Sequence, residues 1–105
     1  MKTFKIESML GGWFLGDFDP SIYKTKEIEI GMKKIPKGEV ADNHYHKKAH
    51  ELTFLISGSI EYNGKIFLDG EMILIEPYEK NNMHFLKDST IIIAKWPSVI
   101  GDKHY

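Results

Sequence analysis

The chain has 105 residues, 42% hydrophobic and 28% charged, the length and balance of one folded domain, which excludes an intrinsically disordered segment on composition. Its 14 basic and 15 acidic side chains are interleaved to a net charge of -1, so there is no basic face to neutralise a run of phosphates and nucleic acid is excluded as a partner. The absence of cysteine removes disulfides and thiolate metal sites.

The opening MKTFKIESMLGGWFLGDFDP carries Glu7, Asp17 and Asp19 and has no apolar core of signal-peptide length. No apolar run of about 18 residues follows, so a cytoplasmic protein without a membrane partner is expected. Within this opening, GGWFLGDF, with Trp13, Phe14 and Leu15, reads as a strand or as an arm packed over a sheet. Residues 26–35 alternate: Ile28, Ile30 and Met32 fall on one parity and Glu27, Glu29 and Lys33 on the other, which predicts a half-buried strand. Pro36-Lys37-Gly38 then makes a turn.

From Glu51 the run ELTFLISGSIEY is rich in β-branched and aromatic residues, and Asn63-Gly64 separates it from KIFL, a strong hairpin signal. Asp69-Gly70 turns into EMILIEP, and Pro77 closes that strand. A polar loop at 79–83 leads through His84 towards STIIIAKW, the last strand. Short strands at this spacing predict an all-β sandwich or small barrel. No ten-residue stretch has a helical period, although His46 to Ala49 has room for one turn of helix. The tail PSVIGDKHY has turn chemistry and is expected to run back over the surface. The expected domain is therefore 1–105, with a core barrel over 26–96, an N-terminal arm or strand over 1–25 and a tail over 97–105.

The chemistry concentrates in residues 44–51, HYHKKAHE. On an extended backbone His44 and His46 share a face, so both can meet one ion. A zinc-protease helix is excluded, because HExxH would need glutamate where Lys47 stands. A short excursion over Lys47 to His50 lets Glu51 return beside the imidazoles, or His50 take its place if the excursion is one residue shorter. Such a mixed nitrogen and oxygen set suits a divalent Mn, Fe, Co, Ni or Zn ion. His84, or Asn82 on the same parity, is the candidate fourth ligand from another strand. The alternative is a solvated loop of histidines beside lysines.

The segment from about Lys26 to Trp96 resembles the cupins. Their first motif is glycine, five residues, HxH, three or four residues, glutamate, six residues and glycine. Here it reads Gly38, EVADN, His44-Tyr45-His46, KKAH, Glu51, LTFLIS and Gly58, with every fixed position present. The second motif, glycine, five residues, PxGxxH, three residues and asparagine, is matched loosely. Six residues separate Gly70 from Pro77, Glu79 replaces the glycine, Asn82 stands at the histidine position, His84 comes two residues later, and Asp88 rather than asparagine follows.

The resemblance implies a single-domain cupin barrel, the jelly-roll-like double-stranded β-helix, with a divalent metal on His44, His46, Glu51 and His84. Small single-domain bacterial cupins share the GGWFxGxFxP, HYHK and SGxIxxNG pattern, which implies a polar, sugar-derived ligand and carbohydrate metabolism. In a metal-dependent isomerase or oxygenase, His50 or His84 would move a proton. HYHKKAHELTFLISGS also resembles the histidine segment of cupin sugar ketoisomerases, which implies a metal-free nucleotide-sugar isomerase or epimerase using histidine bases. A sugar-binding or sensing module without turnover is the third reading, so whether the chain is an enzyme stays open. An exposed sheet edge, or the arm bearing Trp13, invites pairing with a second copy as a homodimer.

Overall fold

The computed structural model describes residues 1–105. Its strands are β1 (Trp13–Leu15), β2 (Glu29–Ile35), β3 (His50–Ser57), β4 (Ser59–Tyr62), β5 (Lys65–Leu68), β6 (Met72–Ile75), β7 (His84–Phe85) and β8 (Ser89–Trp96). They form a five-stranded antiparallel sheet in the order β1-β2-β8-β3-β6 and a three-stranded one in the order β5-β4-β7. The last strand therefore returns to the centre of the larger sheet, between β2 and β3.

Side-chain alternation decides what lies between the sheets. On β3 the buried residues are Glu51, Thr53 and Leu55, while Leu52 and Phe54 point the other way. The register carries this parity outwards: Thr53 faces Ile93 on β8 and Ile73 on β6, and Leu55 faces Ile91. The smaller sheet contributes Ile60, Tyr62 and Phe85, and with Leu55, Ile73, Ile75, Met83 and Ile91 they form one apolar cluster. Leu55 and Ile60 are fully buried, and each such side chain contributes about 1.5 to 3 kcal/mol on leaving water.

The predicted run from Glu51 to Tyr62 is broken at Gly58, where the chain leaves one sheet for the other. Gly58 has φ 123°, and a Cβ there would stand 2.1 Å from Ser89 Oγ and 2.7 Å from Ser89 Cα, so only glycine fits the crossing. The Asn63-Gly64 hairpin forms as expected, with both residues at positive φ. Strand β8 occupies the predicted residues, whereas β2 begins at Glu29 rather than Lys26.

Of the two readings for GGWFLGDF, the strand is observed: β1 pairs with β2 at the sheet edge. Gly31 makes room for it, because a Cβ there would lie 2.8 Å from Trp13 Cε3. The tail differs from expectation. It returns to the polar end of the barrel, where Tyr45 and His104 exchange backbone hydrogen bonds of 2.8 and 2.9 Å and Asp102 is buried. No helix is long and apolar enough to cross a membrane.

Candidate metal centre

The polar end of the barrel holds a cavity of about 500 Å³. His44 and His46 enter it from the segment before β3, on the same side of the chain as their spacing predicts, with ring centroids 5.1 Å apart and planes at 79°. Glu51 enters from β3. One ligand-capable atom from each of the three lies within 4.8 Å of the others, and all three residues are buried.

The turn between His46 and Glu51 is not helical. It is a bend fastened by Asp102 from the tail: Oδ1 accepts the Lys47 N–H at 2.9 Å, and Oδ2 accepts those of Lys48 and Ala49 at 3.0 Å each. These N–H groups precede a strand and have no ladder partner, so a carboxylate satisfies them together. The bonds hold the Asp102 carboxyl below its ordinary value against the effect of burial.

Each candidate ligand is also held from behind. His46 Nδ1–H donates to the Asp102 carbonyl oxygen, which leaves Nε2 as the free lone pair. That Nε2 is buried without a hydrogen-bond partner and stands 3.5 Å from Glu51 Oε1. Two buried acceptors facing each other need a cation or a proton between them. His44 Nδ1–H donates to Asp42 Oδ1 at 2.7 Å, the carboxylate–histidine pairing that orients a ligating imidazole. Asp42 in turn lies below the carboxylate range, chiefly through its hydrogen bond with Lys103.

Asn81 completes the arrangement. Its Nδ2–H donates to Glu51 Oε2 at 3.0 Å, its Oδ1 accepts the Met83 N–H at 3.1 Å, and its own N–H donates to the His44 carbonyl at 2.7 Å. The amide orientation follows from these partners, since the oxygen already accepts and the nitrogen must meet the carboxylate. Charge follows the same geometry. Burial lowers the His44 pKa and favours the neutral ring, while the facing Glu51 carboxylate raises that of His46. Burial would raise Glu51, but His46, Lys95 and His44 together bring it below the usual carboxylate value.

Two predicted residues lie elsewhere. His50 points to the opposite face of β3 from Glu51 and stacks on Trp96, with centroids 5.8 Å apart and planes at 4°. It does not take Glu51's place. His84 sits in β7 between the buried Met83 and Phe85, so alternation turns it away from the interior; its backbone pairs with Glu61 and Val40. Asn82 is exposed. The inward parity is 81, 83 and 85 rather than 82 and 84, and neither His50 nor His84 lines the cavity.

Sequence reasoning missed Asn81, Asp42 and Asp102, whose signals lie in hydrogen bonds between distant segments rather than in spacing. It also missed three charged cavity residues, Glu29, Lys33 and Lys95, although the alternation of β2 and β8 placed them on one face. Trp13, on the segment expected to be a strand or an arm that invites pairing with a second copy, lines the cavity.

Neither a family model nor a curated protein matches the chain. Solved structures do. The KdgF protein from Halomonas sp. superposes with a TM-score of 0.65 at 18% identity, over 72% of this chain and 74% of its own. An uncharacterised double-stranded β-helix protein from Klebsiella pneumoniae gives 0.66 at 18%, over 73% and 69%. A cupin-superfamily sugar phosphate isomerase from Silicibacter pomeroyi gives 0.55 at 14%, over 67% and 50%. At such identities the likeness speaks for architecture. Together with the strand order and the two packed sheets, it shows that the chain is a cupin in fold, an all-β double-stranded β-helix.

Proposed function

We propose that this cytoplasmic protein binds one divalent transition-metal ion on His44, His46 and Glu51, and a small polar, sugar-derived ligand in the same cavity. The observation that carries the reading is the buried, partnerless His46 Nε2 facing a carboxylate oxygen at 3.5 Å. A cation there would satisfy both groups, and the hydrogen bonds that His46 and His44 donate to Asp102 and Asp42, with the one that Glu51 accepts from Asn81, hold all three side chains for it. When bound, such an ion supplies Lewis acidity towards a carbonyl or vicinal hydroxyl oxygens.

The chain's own residues would do the rest. Trp13, Ile93 and Val99 wall the cavity with apolar surface and limit water, and Glu29 faces the ligand space. Burial raises the Glu29 pKa, so its carboxyl is suited to hold and return a proton. With His50 and His84 turned away from the cavity, Glu29 takes the proton-transfer role. Isomerisation of a keto sugar fits a Lewis-acid site beside such a group, and the Silicibacter pomeroyi neighbour bears the name of a sugar phosphate isomerase.

A metal-free reading has one observation in its favour. The raised pKa of His46 lets a proton on Nε2 bridge to Glu51 in place of an ion, and the pair could then give that proton to a substrate oxygen as general acid and, once unprotonated, take one from a substrate carbon as base, the chemistry of a histidine-dependent isomerase. Elemental analysis of untagged protein separates the readings. Near-stoichiometric transition metal that is lost in His46→Ala supports the metal site, whereas metal-free wild type that exchanges a substrate C–H proton in deuterium oxide supports the histidine base.

We further propose a homodimer through the outer face of the five-stranded sheet. Leu52, Phe54, Ile92 and Met32 share that face with Met72 and Leu74, which are 58% and 52% exposed. The patch carries no charge, and a two-fold axis would bury it against its own copy. Light scattering should find a dimer that Leu74→Lys converts to monomer; a monomeric wild type would contradict it.

A further inference from the structure

Lys33 on β2 and Lys95 on β8 point into the cavity from the wall beside the metal-ligand group. Both ammonium groups lie over one aromatic ring, Trp13, at 5.1 and 4.9 Å from its centroid. Both side chains are half-buried, yet neither has a carboxylate within 4.0 Å. The more exposed cations Lys24 and Lys103 do, with Asp19 at 3.1 Å and Asp42 at 2.6 Å.

The other charges facing the wall do not neutralise it. Glu29 and Glu51 flank Lys95 across the two ladders, and Lys103 is engaged by Asp42. Lys33 faces Ile91 across its own ladder and has no acidic neighbour there. Burial, with Lys95 and Lys103 close by, lowers the Lys33 pKa, and the Glu51 charge offsets this only in part. One indole shared by two cations offsets little of their desolvation, since cation–π contacts contribute only about 0.5 to 2 kcal/mol. A ligand that brings a negative charge to this wall would satisfy both.

Resting on the reading that the cavity takes a sugar-derived ligand, we propose that Lys33, with Lys95, is an anion-binding subsite, so that the protein selects carboxylate- or phosphate-bearing sugars over neutral ones. The ligand would then span the cavity, its oxygens towards His44, His46 and Glu51 and its anionic group at the lysines over Trp13.

Titration calorimetry with glucose, glucuronate and glucose 6-phosphate, on wild type, Lys33→Gln and Lys33→Arg, tests this. At least one of the two anions should bind about tenfold or more tightly than glucose, and weaken with added salt. Which of them binds tells carboxylate from phosphate. Lys33→Gln should remove that preference while Lys33→Arg keeps most of it, with folding and metal content unchanged in both. Equal affinity for glucose and the anions, an unchanged preference in Lys33→Gln, or no anion bound at millimolar concentration would each overturn the subsite. Metal content, measured on the same samples, judges the ion reading separately.

Discussion

Along β3 and β8 the inward side chains change character within three pairs. Leu55 meets Ile91 and Thr53 meets Ile93, but Glu51 meets Lys95. The same strands thus build two different ends. At one, Leu55, Ile60 and Tyr62 close an apolar core; at the other, His44, His46, Glu51 and Glu29 gather around a cavity. The apolar end has every reason to be stable. The polar end carries a buried acceptor pair that burial alone penalises, the local conflict expected where residues are kept for chemistry rather than for folding.

The contrast is broken most severely from the apolar end. Leu55→Ala should destabilise by about 2 to 5 kcal/mol, because a fully buried side chain leaves a cavity the sheets cannot close. Urea denaturation at neutral pH measures it, and a cost of only a few tenths of a kcal/mol would place the stabilising core elsewhere.

The polar end should respond in the opposite sense. In Glu51→Gln the amide oxygen can still accept from Asn81, and the amide nitrogen can donate to His46 Nε2, so both partners are satisfied without an ion. Stability of the metal-free protein should stay within about 1 kcal/mol of wild type or rise, as when buried charges give way to a matched neutral pair. Affinity for a divalent ion should fall by about a hundredfold or more, since a charged ligand is gone. A variant that unfolds while wild type stays metal-free would mean that Glu51 serves the fold.

The two ends also differ in how far the sequence reveals them. Alternation on β2 was legible because side chains obey a period of two whatever lies around them, although it is the charged parity of Glu29 and Lys33 that faces the cavity, and the Asn63-Gly64 hairpin was legible because few residues accept positive φ. His44 and His46 were legible for the same local reason, whereas Glu51, on the other parity and weighed against His50, came from the cupin-like motif rather than from alternation. The fourth participant was not: whether 81 or 82 faces inwards depends on where β7 pairs with β4, a long-range register that no local pattern sets. Asp102 was hidden more deeply, because its partners Lys47, Lys48 and Ala49 lie more than fifty residues away.

That clamp predicts a pH dependence. The folded-state pKa of Asp102 is below its ordinary 3.8, so its contribution is fully present above the unfolded-state value and is lost as pH falls through the folded one. Asp102→Asn should cost about 1 to 3 kcal/mol near neutrality, and its deficit against wild type should shrink below about pH 4. A deficit independent of pH would mean that shape, not charge, holds the bend. The smallest effect belongs to Asn81→Ala, which leaves every proposed ligand in place. Metal affinity should weaken by about 10- to 100-fold, and stability should fall by about 1 kcal/mol as the Met83 N–H and Glu51 Oε2 lose their partner; an unchanged affinity would remove Asn81 from the site.

The central claim, that three side chains from two segments converge on one ion, is tested most directly by the visible spectrum of the cobalt(II)-loaded protein. Wild type should take up one equivalent per chain with ligand-field bands that are absent in His46→Ala and Glu51→Gln. Failure to retain cobalt, or the same spectrum and stoichiometry in all three proteins, would contradict it.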